Sequence, residues 1–113
     1  MDWGYTHFRI LFEAHDASFL GQLVAEKTMV GLTPASHWPE LPITEARVAL
    51  AELLDDGRVM LGGPVGMLAS EEARRVVDDD EAWTLEARYE LVMTDKGVDL
   101  WNRLQPRFWP EAS

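Results

Sequence analysis

The sequence predicts a small α+β domain, mostly helical, with a three-helix core, a small antiparallel β-hairpin and a C-terminal helix, all within residues 1–113. Three observations lead there. Apolar residues recur at helical spacing in several separate runs. Two short runs, Arg58–Leu61 and Arg88–Met93, have strand character. Gly and Pro punctuate the joins between these runs. With 113 residues, 47% hydrophobic and five Trp among them, the chain can bury one core without staples.

Residues 5–30 set Phe8, Leu11, Phe12 and His15, then Phe19, Leu20, Leu23 and Val24, at helical spacing. The second half reads as a helix capped by Asp16 or Ser18 and ending at Gly31. Over residues 6–13 aromatic and polar residues nearly alternate, which also suits a short strand; helix is the preferred reading. Pro34, Pro39 and Pro42 make residues 32–42 a loop with room for one short turn. Thr44 is the expected N-cap of a helix carrying Ala46, Val48, Ala49, Leu50, Leu53 and Leu54, with Gly57 as its C′ residue. The strand Arg58–Leu61 follows and is broken by Gly62-Gly63-Pro64. Ser70, with Glu71 and Glu72, opens a short helix to about Val77. In the second strand Tyr89, Leu91 and Met93 share a face. Thr94 caps a last helix from Asp95 to about Leu104, closed by Pro106 and followed by the aromatic tail Phe108-Trp109-Pro110.

Two phrases carry a family likeness. Residues 43–61 (Ile-Thr-Glu-Ala-Arg-Val-Ala-Leu-Ala-Glu-Leu-Leu-Asp-Asp-Gly-Arg-Val-Met-Leu) resemble the third helix of a winged-helix domain with its acidic-Gly turn into the wing. Residues 89–100 (Tyr-Glu-Leu-Val-Met-Thr-Asp-Lys-Gly-Val-Asp-Leu) are similar to the strand, Leu-Thr-x-x-Gly and helix that leave the wing in bacterial regulators of the multiple-antibiotic-resistance type. Together with the order of elements, the likeness covers about half the chain, and it implies a winged-helix fold. Two departures bear on function. About 25 residues with their own helix stand where a short wing is usual. Residues 44–56 offer Thr44 and Arg47 against Glu45, Glu52, Asp55 and Asp56, whereas a DNA-reading helix presents Arg, Lys, Asn, Gln or Ser.

Charge points the same way. Twenty acids against ten bases give a net charge of −10, which repels phosphate backbones and steers toward basic partners. The excess is concentrated in residues 64–87, with seven acids and two bases. The chain has no cysteine, which removes disulfides, thiolate metal sites and cysteine nucleophiles. No run approaches the roughly 18 apolar residues of a membrane span, and the N-terminus lacks a signal pattern. A cytoplasmic protein is expected.

No motif supports catalysis. The acid run Asp78-Asp79-Asp80-Glu81 lacks the alternating ligands, central Gly and distal Glu of a calcium loop; it reads as a solvated segment or a contact for a basic partner. His7, His15 and His37 have no metal-ligand spacing, so neither metal nor cofactor is expected. His15 reads as a partly buried core residue, His7 and His37 as near-surface ones. Gly62-Gly63-Pro64-Val65-Gly66 is not a phosphate loop, since no Lys-Ser or Lys-Thr follows. Trp83 and Trp101 fall in apolar patterns. Trp38, Phe108 and Trp109 lie in a Pro-rich loop and the tail, where aromatics either fold back onto the core, the preferred reading, or present a surface; exposure would favour a homodimer. The candidate interaction surface is therefore Trp38, Asp78, Asp79, Asp80, Glu81, Phe108 and Trp109. Arg88, Lys96, Arg103 and Arg107 are the candidate basic face for nucleic acid. The expected function is a non-catalytic interaction module for a basic protein partner, a regulatory adaptor or antagonist. The alternatives are a DNA-binding transcriptional regulator and a small ligand-binding domain or enzyme.

Overall fold

A computed structural model describes residues 3–15, 19–23, 27–29, 36–38, 42–84 and 86–108. Among them are four α-helices, a three-stranded antiparallel sheet and a separate two-stranded one, so the chain is α+β and mostly helical. Helix α1, Tyr5–His15, is the central element: residues 8–14 are all buried, including Arg9 and Glu13. Burial on every face follows from what surrounds it, since α1 packs on α2 (Ile43–Asp55), α4 (Asp95–Phe108) and strand β5 (Glu90–Met93). Phe8 stacks in parallel on Trp101, with ring centroids 5.2 Å apart.

The chain after α1 departs from the helix expected through Gly31. It makes a 3₁₀ turn, Leu20–Leu23, and then β1 (Lys27–Met29), which pairs antiparallel with β2 (Ser36–Trp38). Leu20 and Leu23 are both fully buried, and the i, i+3 spacing that suggested a helix is the spacing a 3₁₀ turn eclipses. Residues 32–42, expected as loop, thus contain strand β2, which falls in sequence between Pro34 and Pro39.

Helix α2 starts one residue before the expected cap: Pro42 holds the N-cap position, without a side-chain cap bond, and Thr44 is already helical. Gly57 has φ 71°, the left-handed conformation that lets the chain leave α2, and Arg58 N–H then donates to the Leu53 carbonyl. Strand β3 runs Val59–Gly63, and it continues through the glycines expected to break it. Gly62 and Gly63 pair with Met67 and Gly66 of β4 (Gly66–Met67) around a Pro64-Val65 turn. On its other side β3 pairs with β5, Val59 opposite Met93 and Leu61 opposite Leu91, so the sheet order is β4-β3-β5.

Helix α3, Ser70–Asp78, follows, with Ala69 rather than Ser70 at the cap position. It buries Ala73 and Val77, and a 3₁₀ turn, Asp80–Trp83, folds Trp83 beneath it. The Trp83 indole N–H donates to the Val77 carbonyl at 2.9 Å, so the buried ring leaves no polar edge unmet. Thr94 caps α4 as expected: its hydroxyl accepts from Gly97 N–H at 3.1 Å and donates to the Gly57 carbonyl at 2.6 Å. Pro106 does not close α4, which continues to Phe108. A proline in the last turn forfeits one helical bond, and Phe108, packed on Tyr5 and Phe8, holds that turn in place. Among the described residues no helix is long and apolar enough to cross a membrane.

Candidate functional site

Helix α2 separates its residues by period. Ala46, Ala49, Leu50 and Leu53 face the core, while Thr44, Glu45, Val48 and Asp55 face solvent and Glu52 is partly exposed. Val48 is the anomaly, an apolar side chain 62% exposed on the polar face. Beside it lies the first turn of α1. Thr6 and His7 of α1, with Thr44, Glu45, Val48, Ala49 and Glu52 of α2, line an open groove of about 470 Å³.

His7 closes one wall of this groove. Its Nδ1 accepts from Gly4 N–H at 3.0 Å, which places the ring proton on Nε2, and Nε2 donates to Glu52 Oε1 at 2.9 Å. Trp3 packs edge-on against the ring at 4.9 Å. Both ring nitrogens are engaged, so His7 in this arrangement has none with which to take a proton from a nucleophile. His15, expected to be partly buried, is exposed and stacks on Trp101, while His7 lies in the groove wall with its side chain 11% exposed. Position on the helix decides this, since His7 faces α2 while His15 is the last residue of α1.

The acid run is exposed throughout. Asp79 accepts from Glu81 N–H at 3.1 Å and caps the 3₁₀ turn, and Asp80 pairs with Arg47 of α2. Glu71 and Glu72 on α3 and Glu86 are exposed too. Among the described residues no group of three or more His, Asp or Glu side chains converges as a metal site. Phe108 folds back onto α1, partly buried against Tyr5 and Phe8. The Trp38 side chain and all of Trp109 lie outside the described residues, as does the side chain of His37.

The basic residues are mostly occupied within the fold. Arg74 pairs with Asp55 at 2.7 Å, Arg58 with Asp56 at 2.7 Å, Lys96 with Asp56 at 3.3 Å, and Arg103 with Asp99 at 2.6 Å. Arg9 is fully buried. Arg58 first, then Lys96, holds the Asp56 carboxyl below the usual carboxylate range by hydrogen bonding to its charged form. Of the candidate basic face, Lys96, Arg103 and Arg107 do share one side of α4, at spacings of seven and four. Asp56 and Asp99 answer the first two, while Arg107 bonds the Trp3 carbonyl and lies over Phe108. Arg88 takes a left-handed conformation, φ 58°, with its guanidinium over Phe19.

A second cleft, about 410 Å³, opens between Leu54, Met60, Leu68 and Ala73 with the Asp55–Arg74 pair on its lining. Its Thr94 hydroxyl is committed to the Gly57 carbonyl, so it offers no activated nucleophile there.

Compared with known proteins, the chain matches no family model, no curated protein and no solved structure. The site therefore rests on its own geometry. The α1–α2 groove was not singled out from sequence, although one signal was present: Val48 falls opposite the apolar stripe Ala46, Ala49, Leu50, Leu53. The approach of His7, 45 residues from Glu52, had no sequence signal.

Proposed function

We propose that this chain is a non-catalytic, winged-helix-like module that acts through contact with a basic protein partner. The order α2, β3, β5, α4, with the Gly57 turn and the Thr94-x-x-Gly97 cap, supports the winged-helix likeness. In that likeness α2 is the helix that would read DNA. The observation that carries the reading is its outward face, which presents Glu45, Val48 and Glu52, with Asp55 paired to Arg74. Such groups repel phosphates and lack the paired donors that read base edges. Arg47, Arg58, Arg74, Lys96 and Arg103 are paired within the fold, and twenty acids against ten bases leave acids in excess. A regulatory adaptor and an antagonist of a basic protein are the two roles that suit this surface.

Cross-linking in the host cell separates the readings. A carbodiimide joins carboxylates to lysines only where they touch, and ultraviolet light joins proteins to nucleic acid. Adducts between surface acids of this chain and lysines of another protein are expected. Recovery of photo-linked nucleic acid without carbodiimide adducts would overturn the proposal.

A further inference from the structure

We infer that the groove between the first turn of α1 and the outer face of α2 is the contact site, and that its occupant is a lysine- or arginine-bearing amphipathic helix of a protein partner. The inference rests on the function proposed above and assigns its site. Glu45 and Glu52 are seven residues apart on one stripe of α2, with Val48 and Ala49 between them. Two helical turns separate the carboxylates by about 10 Å along the axis. A facing helix with cations seven residues apart spans the same rise, and an aliphatic side chain between those cations meets Val48 over the groove floor. The exposed Val48 supplies apolar surface, and the flanking carboxylates set the sign of the partner.

Charge selects this occupant over others. Among the described residues the groove lining holds two carboxylates and no Lys or Arg, and its one imidazole is tied to Gly4 and Glu52. A second copy of the chain would bring another net charge of −10 to the same acidic face. The His7 bond to Oε1 also orients Glu52, whose other oxygen remains to meet a cation; the side chain is 35% exposed. Among the described residues, a competing acid-lined hollow, with Asp79, Glu81 and Glu86, has no large exposed apolar side chain to seat an anchor.

The test uses the full chain, isotope-labelled, titrated by NMR with a synthetic amphipathic helix of Leu on one face flanked by Lys seven residues apart. A peptide of the same composition with the apolar stripe scrambled is the control. Expected are shifts at Thr6, His7, Thr44, Glu45, Val48 and Glu52, weakened by salt and by the scrambled order. Val48→Lys, at an exposed position, should weaken binding about tenfold, and Glu45→Gln should weaken it severalfold, both without loss of the folded spectrum. Shifts centred on Asp79, Glu81 and Glu86, or equal binding of the scrambled peptide, would overturn the groove while leaving the basic-partner reading. No shift at low salt would overturn both.

Discussion

Replacing Gly97 with Ala should destabilise this protein even though it is a helical glycine. In an ordinary helix interior, Gly→Ala gains about 1 kcal/mol. At Gly97 an added Cβ would stand 2.0 Å from the Arg58 carbonyl oxygen and 2.8 Å from Met93 Cγ. The first contact is with backbone and cannot be relieved by a rotamer change. It falls on the oxygen that accepts from Thr94 N–H at 3.2 Å, so separating α4 from β3 also strains that bond. Overpacking costs about 1–3 kcal/mol, and a compromised hydrogen bond about 1 kcal/mol more. Set against the helical gain, the net loss is about 1–3 kcal/mol, a fall in Tm of roughly 5–20 °C. Thermal and urea unfolding followed by circular dichroism would measure it. Gly4→Ala is the control, since nothing lies within 4 Å of its added Cβ, and its Tm should move by no more than about 2 °C. A Gly97→Ala protein as stable as the parent would refute the close approach of α4 to the Arg58 carbonyl.

Other perturbations test separate parts of the fold. Trp83→Phe removes the donor to the Val77 carbonyl and should cost about 1–3 kcal/mol by urea unfolding; an unchanged midpoint contradicts the bond. Thr94→Ala loses the cap of α4 and the bond to Gly57, with an expected cost of about 1–2 kcal/mol. Arg103→Ala breaks only an exposed i, i+4 pair and should stay within about 0.5 kcal/mol of the parent. Because the Asp56 carboxyl is held below its ordinary value, its stabilising effect is full above about pH 4 and is lost as pH falls through the lowered folded-state value. The Tm gap between the parent and Asp56→Asn should therefore shrink toward acid; a gap independent of pH would contradict the Arg58 and Lys96 bonds.

Legibility followed the range of the interactions. Helices α2, α3 and α4 and strands β3 and β5 were readable because each carries its own apolar period and a local stop or cap, such as Gly57 or Thr94. The Thr-x-x-Gly phrase was readable as a pattern, and its glycine now has a physical cause in the Arg58 carbonyl. Residues 16–38 misled because Leu20 and Leu23 fit a 3₁₀ turn as well as an α-helix, and strand β1 is only three residues long. Strand β4 went unseen because Gly66 and Met67 have no strand periodicity; pairing with Gly62 and Gly63 creates it. The candidate site was half legible. Carboxylates on α2 were visible as such, while the groove depends on α1 arriving beside them, which no local pattern encodes.

The most direct test of a surface turned from nucleic acid to protein is titration of a labelled random-sequence DNA duplex, at low and near-physiological salt. Ordinary non-specific DNA binders reach Kd values of about 10⁻⁴ to 10⁻⁶ M at physiological salt and bind much more tightly when salt is lowered. With Glu45 and Glu52 on α2 and Lys96 and Arg103 answered by aspartates, no binding is expected at either salt. Binding in that range with a steep salt dependence would contradict the basic-partner reading and return α2 or α4 to a DNA-contacting role.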